Sequence, residues 1–275
     1  MIIDTHAHYD DEAFEQDRDL LLGGFPEQGI EKVINSGASV ASSRRGIALS
    51  EQWNGVYCAI GVHPNELEGL TEEVLEEFAV LARRPKVVAI GEIGLEYHYE
   101  NPPRDVQAIW FRRQIALAKR VGLPIIVHSR DAVQDTLDMI RDSEAMEVGG
   151  VIHCFSAGPE IAAEYVRLGF YIGVGGVVTF KNGRKMKEVV RAVPLERILL
   201  ETDSPYLAPE PYRGKRNSSL YLPYVVSEIA ALKEISDEEV MRVTCENALR
   251  CFPKLNPHAD CIGATRNISP RAAAL

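Results

Sequence analysis

Residues 2–8 read IIDTHAH, an apolar, β-branched run that ends in a pair of histidines. Seven more apolar runs follow along the chain, and a longer segment of helical period separates each run from the next. This alternation predicts repeated strand–helix units around a parallel sheet. The seven runs are KVINSG from Lys32, VYCAIGVH from Val56, VVAIGE from Val87, PIIVHS from Pro124, GVIHCF from Gly150, FYIGVGG from Phe170 and RILLETD from Arg197.

Eight strand–helix units predict an α/β fold, a single (β/α)8 TIM-type barrel with the active site at the C-terminal ends of the strands. A doubly wound open sheet is the main alternative, but it usually has fewer strands and often a glycine-rich phosphate loop where this chain has THAH. We expect the barrel to span residues 1–254. Residues 255–275 lack periodicity, which predicts a loosely attached or disordered tail.

The connecting segments carry helix signals. The clearest is RDVQAIWFRRQIALAKRVG at residues 104–122, whose apolar side chains fall roughly on one helical face. That face is predicted to comprise Val106, Ile109, Trp110, Ile115, Leu117 and Val121. Gly29, Gly122 and Gly169 each precede a predicted strand, at positions where glycine typically ends a helix.

The composition is that of a globular protein with a large core, since 46% of the 275 residues are hydrophobic and 25% are charged. The net charge is −10, which disfavours the coating of long duplex DNA but not the binding of a nucleotide at one small metal-charged site.

The five cysteines are widely spaced and form no CxxC pair, so we expect reduced thiols. The first residues lack a signal-peptide pattern, and no run approaches the roughly eighteen apolar residues of a membrane span. We therefore expect a cytoplasmic protein that does not associate with membranes.

The histidines are concentrated at the predicted strand ends. Five of the seven, at positions 6, 8, 63, 128 and 153, stand at or near the C-terminal end of a run. Glu92 ends the fourth run and Asp203 ends the eighth. In a parallel barrel these side chains converge on one mouth, and such a set of imidazoles and carboxylates binds one or two divalent cations. Each residue also has a structural alternative. The histidines could be hydrogen-bonded side chains at the rim, Glu92 could be a buried carboxylate paired with a basic residue, and Asp203 could be a turn or N-cap residue.

Each member of this set has its own reason to bind metal. His6 and His8 are two residues apart on a strand, so both point to the same face and reach one ion. Glu92 lies among glycines in VVAIGEIGL, and its two carboxylate oxygens suit a bridge between two ions. Pro205 stops the eighth strand and leaves Asp203 at the rim, where it can bind metal and accept a proton from water. The predicted metal ligands are His6, His8, Glu92, His128, His153 and Asp203.

Predicted substrate contacts lie around the same mouth. Two coordination shells are complete without His63. We therefore expect His63 either to contact the substrate phosphate or leaving group or to have a structural role, and the sequence favours neither. The loop PYLAPEPYRGKRNSS after the eighth strand, and a lysine after the seventh, suit an anionic substrate, with a solvated loop as the alternative. The predicted substrate-binding residues are His63, Lys181, Arg213, Arg216 and Asn217. His98 and His258 are taken as surface residues.

In their order and spacing the motifs resemble the TatD family of metal-dependent deoxyribonucleases, a branch of the amidohydrolase-like barrels. The resemblance runs from Met1 to about Phe252. It rests on DTHAHYD, GVHPNE, GEIGLEYH, IIVHSRDA, IHCFSAG, VTFKN and ETDSPYLAP followed by YRGKRN. Glu96 departs from the pattern, because the family usually has aspartate in GLDY, and we assign no role to it.

The resemblance implies a site for two divalent metal ions. Residues that match His6, His8 and Asp203 hold one ion, residues that match His128 and His153 hold the other, and the glutamate that matches Glu92 bridges them. Mg2+ is the expected ion, with Mn2+ or Zn2+ as alternatives. Family members are described as Mg2+-dependent nucleases with 3′-exonuclease and apurinic-site activities, and relatives have been associated with D-aminoacyl-tRNA deacylation.

The leading functional prediction is hydrolysis of phosphodiester bonds in DNA, at or near the 3′ ends of single strands. Glu92, Asp203 and His63 are the predicted catalytic residues, with Asp203 orienting or deprotonating the nucleophile and His63 positioning the phosphate. Nucleic acid is the expected substrate, and no obligatory protein partner is inferred. Metal-activated water attacks carbonyl carbon as well as phosphorus. Ester or amide hydrolysis, as in D-aminoacyl-tRNA deacylation, therefore stays open, as does a catalytically silent binding module.

Overall fold

A computed structural model describes residues 1–256, in which eight strands alternate with helices along the chain. The strands are β1 (Ile2–Ala7), β2 (Ile30–Ser36), β3 (Val56–Ile60), β4 (Val87–Glu96), β5 (Ile125–Arg130), β6 (Gly150–Ile152), β7 (Tyr171–Val174) and β8 (Ile198–Leu200). The helices are α1 (Arg18–Gly24), α2 (Val40–Gln52), α3 (Glu72–Leu81), α4 (Arg104–Val121), α5 (Val133–Asp142), α6 (Pro159–Arg167), α7 (Arg184–Ala192), α8 (Leu222–Lys233) and α9 (Asp237–Cys251). Neighbouring strands pair in parallel in the order β1 to β8, so the predicted (β/α)8 barrel is confirmed.

Side-chain caps mark where several helices begin. Ser39, Thr71 and Ser236 precede α2, α3 and α9, and the side chain of each accepts a hydrogen bond from the backbone N–H three residues on. This satisfies a donor that the first helical turn leaves without an intrahelical partner. Gly122 ends α4 as predicted, with a φ of 68°, a left-handed conformation that glycine adopts without the steric cost of a Cβ.

The barrel closes between its first and last strands. Ala7 forms a parallel bridge with Ser204, and the Asp203 N–H donates to the His6 carbonyl oxygen at 2.9 Å. The two ends of the barrel sequence therefore meet at the C-terminal side of the strands. As a consequence, the histidines at the end of β1 lie beside Asp203.

The barrel interior is a small core of its own. Its strand members come from all eight strands: Ile3, Ile34, Tyr57, Ala59, Val88, Ala89, Ile126, Val151, Tyr171 and Leu199. This core continues into α9 and the residues after it. The Asn247 amide on α9 donates to the carbonyl oxygens of Leu195 and Ile198, so α9 covers the end where β8 begins. The opposite end of the barrel is left for the site.

Helix α4 packs its predicted apolar face against the core except at one position. Ile109, predicted on the buried face, is exposed, whereas Gln107 and Gln114 are buried. The Gln114 side chain accepts from the Val62 N–H at 2.8 Å and donates to the Val62 carbonyl oxygen at 3.0 Å. Leaving buried backbone groups unpaired costs more than exposing one isoleucine, so the polar contacts decide the orientation.

The C-terminal end of the described chain is packed into the barrel. Leu255 is fully buried in the interior core beside Phe252, so packing extends one residue past the expected barrel boundary. Residues 257–275, with His258 among them, lie outside the described residues, and the predicted tail stays a prediction. Within residues 1–256, no helix combines the length and hydropathy needed to cross a membrane.

Candidate metal centre

The six predicted metal ligands come together at the C-terminal ends of five strands. They are carried by β1, β4 and β5 and by the segments that follow β1, β6 and β8. In order along the chain they are His6, His8, Glu92, His128, His153 and Asp203. Side chains that are scattered along the sequence therefore share one region of the barrel mouth.

One group of donor atoms forms where β1 meets the segment after β8. The Nε2 atoms of His6 and His8 are 3.0 Å apart, and Asp203 Oδ1 lies 3.6 Å from the former and 3.5 Å from the latter. The His8 Nδ1 lies 2.9 Å from the Ser36 carbonyl oxygen, which can only accept, so Nδ1 carries a proton and the neutral ring presents the Nε2 lone pair to a metal. This group can therefore offer three ligand atoms to one ion.

Glu92 lies between this first group and a second pair of imidazoles. Its Oε2 is 3.4 Å from His6 Nε2 and 3.7 Å from His8 Nε2. Its Oε1 is 3.0 Å from His128 Nδ1 and 3.7 Å from His153 Nε2. Each oxygen of one carboxylate thus faces a different pair of imidazoles, which is the arrangement that a bridge between two ions requires.

The spacing of these atoms fits a metal coordination shell. With metal–nitrogen distances of about 2.0–2.1 Å, neighbouring ligand atoms lie roughly 3.0 Å apart in an octahedral shell and roughly 3.4 Å apart in a tetrahedral one. The separations within the first group and to Glu92 Oε2 run from 3.0 Å to 3.7 Å. Mixed imidazole and carboxylate donors also suit divalent cations. The residues present therefore fit a divalent metal centre.

Two buried carboxylates face the second pair of imidazoles from the outer side. Glu96 Oε2 lies 3.2 Å from His128 Nε2, and Glu201 Oε2 lies 3.2 Å from His153 Nδ1. Glu201 Oε1 also accepts the Cys154 N–H at 2.6 Å. A carboxylate on the far nitrogen of a metal-binding imidazole fixes the orientation of the ring and increases its basicity.

Burial and charge act against each other at this centre. Burial opposes the charged form of His153, but the charges of Glu201, Glu92 and Asp203 raise its pKa to about 10. Burial likewise opposes protonation of His8, yet the Asp203 hydrogen bond and the Glu92 charge raise its pKa to about 9. The carboxylates thus attract positive charge, which protons or divalent ions can supply in competition.

The donor atoms open into a cavity of about 880 Å3 at the barrel mouth. This volume lies within the range of small-molecule and cofactor sites. Its floor includes Glu92 and Asp203, and its rim carries Arg130 and the two tyrosines Tyr99 and Tyr206.

His63 lines the same cavity. Its Nδ1 accepts from the Asn65 N–H at 3.1 Å, so the proton of the neutral ring is on Nε2. Burial, followed by the charge of His128, lowers the pKa of His63 to about 3. One ligand-type atom each from His63, Glu92 and His128 lies within 4.8 Å of the others, a grouping that the sequence did not predict.

Comparison with known proteins identifies the family. Residues 3–253 match the family described as TatD related DNase. The chain belongs to the TatD family. It is 44% identical over 252 residues to YabD of Bacillus subtilis, an uncharacterized metal-dependent hydrolase, covering 92% of this chain and 99% of that protein. It is 35% identical over 254 residues to YcfH of Escherichia coli K12, described in the same words, covering 91% of this chain and 95% of YcfH.

Solved structures of TatD proteins share the fold. The crystal structure of YjjV, a TatD homologue from Escherichia coli K12, superposes with a TM-score of 0.86 at 33% identity and covers 92% of this chain and 98% of YjjV. A TatD-family hydrolase from Entamoeba histolytica gives a TM-score of 0.82 at 23% identity, with 91% and 97% of the two chains covered, which shows the fold. As a TatD-family member, this chain is a metal-dependent hydrolase.

The predicted cationic contacts of this TatD chain lie outside the lining of the metal cavity. Arg216 pairs with Asp17 at 2.5 Å. The Arg213 guanidinium lies over the Phe180 ring at 4.2 Å from its centre. Lys181 is exposed. Since none of the three lines the cavity, they can contact only parts of a substrate that extend beyond it.

Asn217 differs from its neighbours in the loop, because it is buried. Its amide donates to the carbonyl oxygens of Thr202 and Tyr206, each at 2.8 Å, and its oxygen accepts the Ser218 N–H at 2.8 Å. These hydrogen bonds hold the loop after β8 against the segment that carries Asp203. The structure therefore places Asn217 beneath the loop surface and not at it.

Sequence reasoning overlooked Glu201 and assigned no role to Glu96, although both patterns contain a signal. Glu201 precedes Asp203 by two residues and Glu96 follows Glu92 by four, spacings that place both members of each pair on one face of an extended chain. What the sequence did not show is which imidazole each carboxylate faces, since that depends on how neighbouring strands are staggered.

Proposed function

We propose that this TatD-family hydrolase is a divalent-metal-dependent deoxyribonuclease that cleaves phosphodiester bonds at or near the 3′ ends of single strands. The observation that carries the proposal is Glu92, whose two oxygens face two separate imidazole pairs at 3.0–3.7 Å. A centre of this kind suits phosphoryl transfer, in which charge develops on both the attacking and the leaving oxygen. The family description, TatD related DNase, supports DNA as the substrate.

The proposal includes two ions per chain. His6, His8 and Asp203 would hold one ion and His128 and His153 the other, with Glu92 shared between them. We expect Mg2+, as the resemblance to the TatD family implies. Mn2+ and Zn2+ are alternatives, because mixed imidazole and carboxylate donors suit the three ions to different degrees. Bound there, the ions would supply Lewis acidity that lowers the pKa of water and polarises the phosphoryl oxygen.

Asp203 and His63 have separate tasks in the proposed reaction. Burial opposes ionisation of Asp203, but the His153 charge and the hydrogen bond with His8 hold its pKa below the ordinary value. The carboxylate is therefore available to orient the attacking water and to accept its proton as the new O–P bond forms. His63 is neutral, so its Nε2–H can donate a hydrogen bond to a phosphoryl oxygen but cannot supply a proton. The O–P bond to the strand then breaks, and the leaving oxygen takes a proton from solvent.

The size of the cavity supports action at a strand end. A volume of about 880 Å3 in a barrel mouth matches a site for a small molecule or a few linked groups. A strand end can enter such a space, while the rest of the strand passes over the rim. There, Lys181, Arg213 and Arg216 are proposed to contact more distant phosphates.

The proposal is tested with a labelled single strand, an abasic duplex and a D-aminoacyl-tRNA, each assayed with Mg2+, Mn2+ and Zn2+. Glu92→Gln and Asp203→Asn should each abolish metal-dependent cleavage of the single strand, while circular dichroism shows an intact fold. Glu51→Gln is the matched control, because Glu51 lies on α2 and pairs with Arg84 outside the cavity. Normal cleavage by the Glu92 variant would contradict the assignment.

Acyl hydrolysis is the second candidate, favoured by the acidic side of the mouth. Asp11 lines the cavity, and a carboxylate there suits the amino group of an aminoacyl ester. Cleavage of the D-aminoacyl-tRNA without cleavage of the DNA strand would support deacylation and end the nuclease proposal.

A further inference from the structure

Two exposed tyrosines stand at the mouth of the metal cavity. Tyr99 is 53% exposed and Tyr206 is 55% exposed, and both line the cavity. Single exposed hydrophobic side chains are common on protein surfaces, so exposure alone is no evidence of a role. The positions of these two rings relative to the proposed metal ligands carry the inference.

The rings are placed on opposite sides of the mouth. Tyr99 follows β4 and Tyr206 follows β8, and these strands are four positions apart in a barrel of eight. Each tyrosine comes three residues after a carboxylate of the metal centre, Glu96 in one case and Asp203 in the other. The Tyr206 N–H donates to the Asp203 carbonyl oxygen at 2.8 Å, so a tight turn links this ring to a proposed ligand.

Neither ring is stacked on another aromatic ring of residues 1–256. Tyr99 meets His98 edge-on, with ring centres 5.0 Å apart and planes at 87°. Tyr206 meets His8 at 6.4 Å and 63°. By contrast, Tyr212 and Tyr221 form a parallel stack at 4.2 Å. The Arg130 guanidinium lies over the Tyr99 ring, 5.7 Å from its centre, and covers one of its faces. Tyr99 therefore keeps its other face available for a ligand, and Tyr206 keeps ring surface available as well.

The charged side chains of the mouth are poorly suited to attract a polyanion. Arg45 pairs with Asp10 at 3.0 Å, and Arg130 lies 3.8 Å from Glu96. Asp11 also lines the cavity, and the whole chain has a net charge of −10. Side-chain attraction for phosphates inside the mouth is therefore weak, and contacts to the bases would add to the affinity that the proposed ions and the outer cations supply.

Resting on the proposed nuclease function, we propose that Tyr99 and Tyr206 form a stacking clamp, in which each ring stacks on one unpaired base of the strand. The scissile phosphate lies between the two bases, above the metal centre. Stacking accepts every base, because every base has a π-face. In a duplex the neighbouring base pairs cover these faces, so the clamp selects single strands without selecting sequence.

The test compares KM and kcat on a single-stranded oligonucleotide for wild type, Tyr99→Ala, Tyr206→Ala and the corresponding Phe variants. Each Ala variant should raise KM by about 5- to 100-fold, and each Phe variant should stay close to wild type because the ring is retained. Tyr224→Ala is the matched control, since Tyr224 is 40% exposed but packs beside Tyr212 away from the cavity lining. Its KM should equal that of wild type.

A change in the substrate checks the same contact from the other side. Wild type should have a higher KM for an oligonucleotide that lacks one base near its 3′ end. In the variant that lacks the ring stacked on that base, removing the base should cause no further increase in KM. KM values within twofold of wild type for both Ala variants, in an enzyme that cleaves the strand, would overturn the clamp and leave the nuclease proposal intact. Failure of wild type to cleave any strand with any of the three metals would overturn the nuclease proposal and the clamp with it.

Discussion

Glu201 is a buried carboxylate in ionic contact with a proposed metal ligand, a position from which it would orient that ligand. Its carboxylate is 3.2 Å from His153 Nδ1, on the side of the ring that faces away from Glu92. Glu201→Gln keeps the shape but removes the charge that favours a strongly basic imidazole. We expect 10- to 100-fold weaker metal binding, the usual effect of removing such a partner. Calorimetric titration with Mn2+ measures it.

Gly173 provides an independent route to the same result. A Cβ at this position would lie 2.3 Å from Glu201 Oε2, so Gly173→Ala should displace the carboxylate and weaken Mn2+ binding in the same direction. Gly24→Ala is the matched control, because a Cβ there meets nothing within 4 Å. Mn2+ affinity equal to wild type in both Glu201→Gln and Gly173→Ala would contradict the positioning role of Glu201.

At the scale of residues, the strand pattern placed the six side chains at one end of the barrel but did not give their pairing. His6 and His8 could be grouped because they are two residues apart on one strand, whereas the grouping of Asp203 with them came from the resemblance to the TatD family. The partner of His153 could not be predicted, because Glu201 reaches it only through the stagger between β6 and β8 across β7. Gly173 leaves room for the Glu201 carboxylate, because it has no Cβ at the point where the carboxylate approaches the backbone.

At the scale of elements, α4 supports the loop that carries His63. The Gln114 amide satisfies both the N–H and the carbonyl oxygen of Val62, the residue before His63. Gln114→Leu leaves two buried backbone groups unpaired, at roughly 1–3 kcal/mol each. We expect the free energy of unfolding to fall by about 2–4 kcal/mol, measured by urea denaturation. Gln134→Leu on the exposed face of α5 is the control and should change it by less than about 0.5 kcal/mol.

An unchanged urea midpoint for Gln114→Leu would show that water or a shifted backbone replaces the amide.

Hydrophobic periodicity could not reveal this contact, because it scores glutamine as a surface residue. The same limit explains Ile109, which the apolar pattern of α4 placed in the core and the structure exposes. The presence of each strand was easier to predict, because a run of apolar, β-branched residues forms a strand wherever it is buried in a sheet. The length of each strand was harder to predict: the run RILLETD contains a strand of only three residues, Ile198–Leu200.

At the scale of the whole molecule, barrel closure and metal binding depend on the same segment. The chain from β8 to Ser204 completes the barrel against β1 and also carries Asp203. Asp4 supports this junction from below, accepting hydrogen bonds from Thr202 Oγ1 at 2.7 Å and Ser219 Oγ at 2.6 Å. Cations bound at the mouth would therefore hold together the first and last strands as well as serve catalysis.

Metal removal should accordingly lower the stability of the entire barrel. A ligand that binds only the folded state at 100 times its Kd adds about 2.7 kcal/mol, which in a chain of this size raises Tm by roughly 5–10 °C. Thermal unfolding followed with saturating Mg2+ or Mn2+, and then with excess chelator, measures the difference. Glu92→Gln should lose most of the shift, because Glu92 faces both imidazole pairs, whereas Glu51→Gln should retain it. A Tm that is the same with metal and with chelator would mean that the carboxylates and imidazoles at the mouth do not hold cations in the folded protein, however well their spacing fits.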